Sequence, residues 1–196
     1  MTPPNVIMRS GIDADHTDLK SAKRVLGLEA DGLRALAESL DVNFIEALDI
    51  LGNLTGHVVV TGMGKSGHVA RKIAATLAST GTPALFVHPA EASHGDLGMI
   101  TESDAIIALS NSGETVEMAD LVAYAKRFEI PLIAITGDAG SALCDAANVT
   151  LNLPPSAEAC PMGLTPTTSS TVMLALGDAI AVALLERDGF PPDKFH

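Results

Sequence analysis

The chain has 196 residues, of which 47% are apolar, 18% charged and only 3% aromatic, so its core must be aliphatic. That length suffices for one domain with a sizeable core. A formal charge of −12, from 12 basic and 24 acidic residues, excludes a generally basic nucleic-acid or anionic-membrane surface.

An anionic substrate must therefore be attracted locally, by dipoles and a few cations. No run of 18 or more uninterrupted apolar residues occurs, so no membrane-spanning helix is expected. The N-terminus lacks the apolar centre of a signal peptide. Cys144 and Cys160 are too few for a disulfide framework and lack CxxC spacing, which suits a reduced, cytoplasmic setting.

Residues 1–17, with Pro3, Pro4, Gly11 and His16, read as a loose arm. Residues 18–196 then form one domain, with helices over 18–55 and an α/β core over 56–196. Leu19 to about Leu40 is helical, because Ala22, Val25, Leu26, Leu33, Leu36, Ala37 and Leu40 follow the 3.6 period. A break near Asp41-Val42-Asn43 precedes a second helix carrying Phe44, Ala47, Leu48 and Leu51, ended by Gly52 and Gly56. Helices ahead of the first strand lie outside any βαβ unit and are expected to wrap the domain or a neighbouring subunit.

From His57 strands and helices alternate. Strands are expected at 57–61, 84–87, 104–109, 131–135 and 149–153. Helices are expected at 66–79, from the 110–115 turn to about Phe128, at 141–147 and at 167–187, with an irregular stretch over 88–100 and a long crossing over 154–166. This alternation predicts a five-stranded parallel sheet, flavodoxin-like, in three α/β/α layers. Val172 to Leu185 is apolar all round except at Gly177 and Asp178, so the last helix should be buried. A sheet covers only one side of it, which suggests a subunit interface; Asp178 should be a paired structural acid.

Two turns carry chemistry. Val58-Val59-Val60-Thr61 runs into Gly62-Met63-Gly64-Lys65-Ser66-Gly67, a glycine turn that opens a helix. Free N–H groups and the positive end of the helix dipole make an anion site there, and Lys65 adds a mobile charge. A dinucleotide reading of this GxGxxG pattern wants an acid near the end of strand two, where His88 stands instead. A Walker loop would need glycine at Val59. The bland alternative is a plain strand–helix turn.

The second turn is Ser110-Asn111-Ser112-Gly113-Glu114-Thr115. Its hydroxyls and N–H groups can surround a phosphate dianion without net charge, whereas simple capping needs only one of them. Both turns leave the carboxyl ends of strands, where open α/β sheets bind ligands.

The two turns together resemble the SIS (sugar isomerase) domain. The stretch Val87-His88-Pro89-Ala90-Glu91-Ala92-Ser93-His94-Gly95-Asp96-Leu97-Gly98-Met99-Ile100 narrows the likeness. So does Glu158-Ala159-Cys160-Pro161-Met162-Gly163-Leu164-Thr165-Pro166 with the helix after it. Over about residues 20–195 the chain resembles the arabinose-5-phosphate isomerase family. That resemblance implies interconversion of D-ribulose 5-phosphate and D-arabinose 5-phosphate, feeding the Kdo sugar of lipopolysaccharide or capsule. It also implies a homotetramer with active sites shared between subunits.

By the same resemblance Lys65, Glu117 and Glu158 fall on catalytic positions, His94 on a substrate-site position and His88 on one that can hold an inhibitory zinc. Gly64, Ser66, Gly81, Thr82, His88, Ser110, Asn111, Ser112, Gly113 and Thr115 are the candidate substrate and phosphate contacts. The family pattern departs in two places. Many members carry a tandem CBS pair after this domain, and here the chain ends at His196. A tail histidine is expected after the pattern that Gly189-Phe190 and Asp193-Lys194-Phe195 follow, yet His196 stands out of register. Either the chain is truncated, or His196 or His94 takes the role.

The chemistry needs a base with a suitable pKa and donors for an enediolate oxygen. Glu158, between Ala157 and Ala159, suits a desolvated acid with a raised pKa and is the preferred base, against a solvated loop acid. Glu117 and Glu114 also suit a helix N-terminus, where acids gain roughly 0.3–1 kcal/mol. Lys65 can hold the phosphate or the enediolate, or be a surface lysine; His94 can open the sugar ring, or be a capped loop histidine. Thr165 to Thr171 can line the pocket or cap the last helix. Isomerisation has no redox step, so no cofactor is expected. The rivals are another SIS enzyme, such as a phosphohexulose isomerase, and a non-enzymatic sugar-phosphate or nucleotide-sugar sensor.

Overall fold

The structure is a computed structural model that describes residues 16–189. The predicted arm over 1–17 lies mostly outside this range, as does the tail from Phe190 to His196. Helix α1 spans Thr17–Ser39, starting two residues before the predicted Leu19, and α2 spans Val42–Gly52. Asp41 explains the break between them: its side chain accepts from the Asn43 N–H at 2.9 Å and caps α2.

The sheet contains β1 (Val58–Gly62), β2 (Ala84–Phe86), β3 (Ala105–Leu109), β4 (Leu132–Thr136) and β5 (Val149–Asn152). Its order is β2-β1-β3-β4-β5, all parallel, as the flavodoxin-like reading expected. Between the strands lie α3 (Gly64–Ser79), α4 (Pro89–Ser93), α5 (Ala119–Arg127) and α6 (Ala142–Ala146), and α7 (Thr168–Arg187) follows β5.

Strand side chains alternate between faces, so each strand feeds two cores. Val58, Val60, Ile107, Leu109, Ile133 and Leu151 face one layer, with Leu48 of α2, Ile73 of α3 and Leu176 of α7. Val59, Ile106, Ala108, Leu132 and Ala134 face the other, with Leu121 of α5 and Leu143 of α6. This is the three-layer architecture predicted.

Two elements differ from expectation. The segment 88–100 is not wholly irregular: Pro89 opens α4, and a 3-10 turn follows at Asp96–Met99. The helix after the 110–115 turn begins as a 3-10 turn at Val116–Met118.

The last helix is buried as predicted. Its inner side packs on α3, while α1 of the same chain packs on it too. Asp178 pairs with Lys72, as a structural acid in this setting should. By length and composition α7 could cross a membrane, yet Val172, Leu176, Ile180 and Leu184 form part of the core.

Candidate functional site

The carboxyl ends of β1 and β3 are neighbours, since Gly62 pairs with Leu109. The glycine turn and the serine-rich turn therefore leave the sheet side by side. The glycine turn is tight. A Cβ on Gly67 would stand 2.5 Å from the Gly62 carbonyl oxygen, which no real side chain tolerates. Lys65 projects from the first turn of α3, exposed and with no carboxylate partner among the described residues. Ser66 turns inward, its hydroxyl 3.8 Å from the Met173 sulfur of α7.

The serine-rich turn divides its residues. Ser110 is 4% exposed, its hydroxyl 2.8 Å from that of Thr115 and accepting from the Gly113 N–H at 3.0 Å. Gly113 has φ +66° and sits on Ser141, leaving no room for a Cβ. Ser110 thus links Gly113 and Thr115 across the turn. Asn111 and Ser112 remain exposed. Glu114 is a cap for α6: its Oε1 accepts from the Ala142 N–H at 2.7 Å. Glu117 lies exposed in the 3-10 turn, not in an α-helix.

The cavity at the strand tips is centred further along the sheet. It has a volume of about 220 Å³, and Asn111, Gly137, Asp138, Ser156, Glu158 and Ser169 line it. Those residues come from the ends of β3, β4 and β5 and the first turn of α7. Of the predicted residues only Asn111 and Glu158 share it. The glycine turn, Lys65, Glu117 and His94 do not line it within one chain.

Glu158 is the best-defined group here. Its Oε2 accepts from the Thr167 N–H at 2.6 Å and the Thr167 hydroxyl at 2.8 Å. Ser169 also bonds to the carboxylate through its side chain and backbone. Burial pushes the carboxyl pKa up, but the bonds from Ser169 and Thr167 outweigh it and hold the group below the ordinary glutamate range. The expected raised pKa is thus corrected: apolar neighbours in the sequence did not mean an apolar setting.

His88 and His94 flank α4 beyond the edge strand β2. The His88 ring meets Phe86 edge-on at 6.2 Å, and its buried Nδ1 has no hydrogen-bond partner. Among the described residues no group of three or more His, Cys, Asp or Glu side chains could hold a metal. Gly81 and Thr82 precede β2 and line a different small cavity with Leu51, Val58 and Leu184, at the amino ends of the strands. Their assignment to the strand-tip site does not hold within one chain.

Asp138 and Ser156 were missed, whereas Ser169 lies in the Thr165 to Thr171 stretch read as able to line the pocket. The available signal was that Gly137-Asp138 follows β4 as Asn111 follows β3.

Residues 55–183 match the model of the SIS domain. The chain belongs to the SIS domain family. Within that family it is similar to proteins named arabinose 5-phosphate isomerase KdsD. It is 54% identical over 177 residues to arabinose 5-phosphate isomerase KdsD of Pseudomonas aeruginosa, covering 90% of this chain and 54% of that protein. With KdsD of Salmonella typhi it shares 52% over 176 residues, at 90% and 54% coverage. The chain thus spans about half the length of these curated relatives. Among solved structures, E. coli CFT073 c3406 in complex with arabinose 5-phosphate superposes with a TM-score of 0.88 at 41% identity, covering 92% of this SIS chain and 97% of that one.

Proposed function

We propose that this SIS domain is an aldose–ketose isomerase interconverting D-ribulose 5-phosphate and D-arabinose 5-phosphate. The observation that carries the reading is Glu158, an ionisable carboxylate held at the mouth of α7 and lining one cavity with Asn111. Similarity to KdsD and to a structure solved with arabinose 5-phosphate supports the choice of substrate.

In this reading the Glu158 carboxylate takes a proton from the carbon beside the carbonyl. The electron pair moves to give a cis-enediolate, the hydroxyl proton passes to the former carbonyl oxygen, and the carbon-bound proton returns to the adjacent carbon. A depressed pKa keeps Glu158 ionised at neutral pH, ready to accept, but makes it a weak base. Much of the barrier must then be lowered by stabilising the enediolate oxygen. Lys65, an exposed cation at the N-terminus of α3, is assigned that role or the phosphate. Asn111 and Ser112 offer the serine-rich turn's outward polar groups to the headgroup.

Lys65, Glu117 and His94 lie outside the Glu158 cavity of one chain, so a shared site in a homotetramer is part of the proposal. The product would feed Kdo synthesis for lipopolysaccharide or capsule. One proton moves between the two carbons and another between their oxygens, with no net change in electrons, so the stoichiometry asks for no redox cofactor.

Deuterium uptake from heavy water into ribulose 5-phosphate tests this. The native protein should exchange, and Glu158→Gln should lose about 100-fold or more, as general-base removal commonly does. Undiminished exchange in both Glu158→Gln and Glu117→Gln would remove the carboxylate mechanism. Binding of arabinose 5-phosphate without turnover at high protein concentration would assign a sensor instead.

A further inference from the structure

Thr167 occupies the N-cap position of α7, where a threonine hydroxyl ordinarily accepts from an N–H of the helix's own first turn. Here it makes no such bond. Its hydroxyl is turned outward, donating to Glu158 Oε2 at 2.8 Å and accepting from the Ala159 N–H at 2.8 Å. The Thr167 N–H adds a third bond, to the same Oε2, at 2.6 Å. One residue thus grips both the carboxylate and the backbone next to it. From the other side, Arg24 of α1 donates to the Ala159 carbonyl at 3.0 Å. The peptide groups of Ala159 are held at both ends by residues far apart in sequence.

We propose that Thr167 is a positioning residue that fixes the aim and the charge state of Glu158, with Arg24 anchoring the loop that carries it. The inference rests on the isomerase reading, in which Glu158 moves the proton.

The chemistry of the bracket supports this assignment. A carboxylate can only accept, so a hydroxyl and an N–H pointed at one oxygen favour its ionised form. The hydroxyl's own lone pair is used by Ala159, which fixes the direction of its proton toward Glu158. Other charged groups nearby are few. Asp138 lines the same cavity from the β4 side, Arg24 approaches from α1, and Cys160 lies two residues along the same loop. Neither Asp138 nor Arg24 bonds the carboxylate; Ser169 does, through its side chain and backbone, and shares the hold on Glu158 with Thr167.

The test measures two things on native protein, Thr167→Val and Thr167→Ser. Carboxyl carbon NMR follows the titration of Glu158 without substrate, and kcat/KM for ribulose 5-phosphate is recorded against pH. In Thr167→Val the Glu158 titration and the acid limb of kcat/KM should both move up by about one pH unit, as loss of a bond to a charged acceptor implies. Thr167→Ser keeps the hydroxyl and should restore both. Arg24→Ala should lower kcat without moving the Glu158 titration. An unmoved Glu158 titration in folded Thr167→Val, or a serine variant shifted as far as the valine one, would overturn the proposal. If Thr167→Val fails to fold, Thr167→Asn takes its place beside the serine variant: it offers a donor of different reach and should give an intermediate upward shift, and an unmoved titration there would overturn the proposal equally. A native protein that never isomerises would sink the isomerase reading alone, since the NMR titration reads the bracket directly.

Discussion

Asp104 ties together the entrances of two strands. Its carboxylate accepts from the His57 N–H at 2.6 Å, the Thr101 N–H at 2.7 Å and the Thr101 hydroxyl at 3.0 Å. Burial raises its pKa, but these bonds and the His57 charge together lower it below the ordinary value. A depressed carboxyl pKa adds stability above the unfolded value, near 4, and that stability is lost as pH falls through the folded value. Acid unfolding of Asp104→Asn should therefore show a flatter slope below about pH 4 than the native protein. At neutral pH Asp104→Ala should cost about 1 kcal/mol, by removing the acceptor of two part-buried N–H donors, as chemical denaturation would report. Cys160 offers a second residue-scale test. The Thr165 and Met162 N–H groups and the Thr165 hydroxyl lower its thiol pKa to about 7. Iodoacetamide at pH 7 should label it ahead of Cys144, whose sulfur lies 3.3 Å from the Thr150 hydroxyl; equal rates would contradict the assignment.

At the scale of elements, α3 and α7 meet where Gly177 leaves room for Ile73. A Cβ on Gly177 would stand 2.3 Å from Ile73 Cγ1. Gly177→Ala should destabilise by about 1–3 kcal/mol through overpacking, and Ile73→Val in the same chain should recover part of that. Thermal melts of the two single variants and the double variant give the coupling; strictly additive losses would mean that the helices do not meet there. The sequence read Gly177 as an interruption in an apolar run, and only the crossing shows what it is for. The same limit explains Glu117. Charge placement marked a helix start near it, but the backbone enters α5 through a 3-10 turn because the preceding turn is closed by the Ser110–Thr115 bond. Gly67 was legible as a turn glycine, but only the fold shows that it lets the helix approach the Gly62 carbonyl oxygen, 2.5 Å from where its Cβ would stand.

At the scale of the molecule, the helical layer of α1, α2 and α7 carries exposed apolar side chains. Leu26 is 66% exposed, Val42 60% and Ile45 52%. Scattered exposure is ordinary, but on the proposal of a site shared between copies, this layer, which also holds the loop anchor Arg24, is the face predicted to meet a second copy. Leu26→Glu with Ile45→Glu should lower the mass seen by sedimentation velocity while the circular dichroism spectrum stays native. An unchanged mass would place the interface elsewhere, or leave the chain without one. The expectation that the first two helices wrap the domain is met by α1 on α7 and α2 on β5.

The order of strands and helices was written in the residues. Period-two and period-3.6 patterns act over a few residues, and parallel crossovers permit few topologies. The site was only half written. Asn111 and Glu158 could be named, because turns after strands and an unusual loop acid are local features. Thr167, Ser169, Asp138 and Arg24 could not be tied to Glu158, since Arg24 lies more than a hundred residues away in the chain. Nor could the sign of the Glu158 shift be read. Whether a carboxyl gains or loses protons depends on donors that folding brings to it, and those arrive only when the first turn of α7 closes on the loop that carries Glu158.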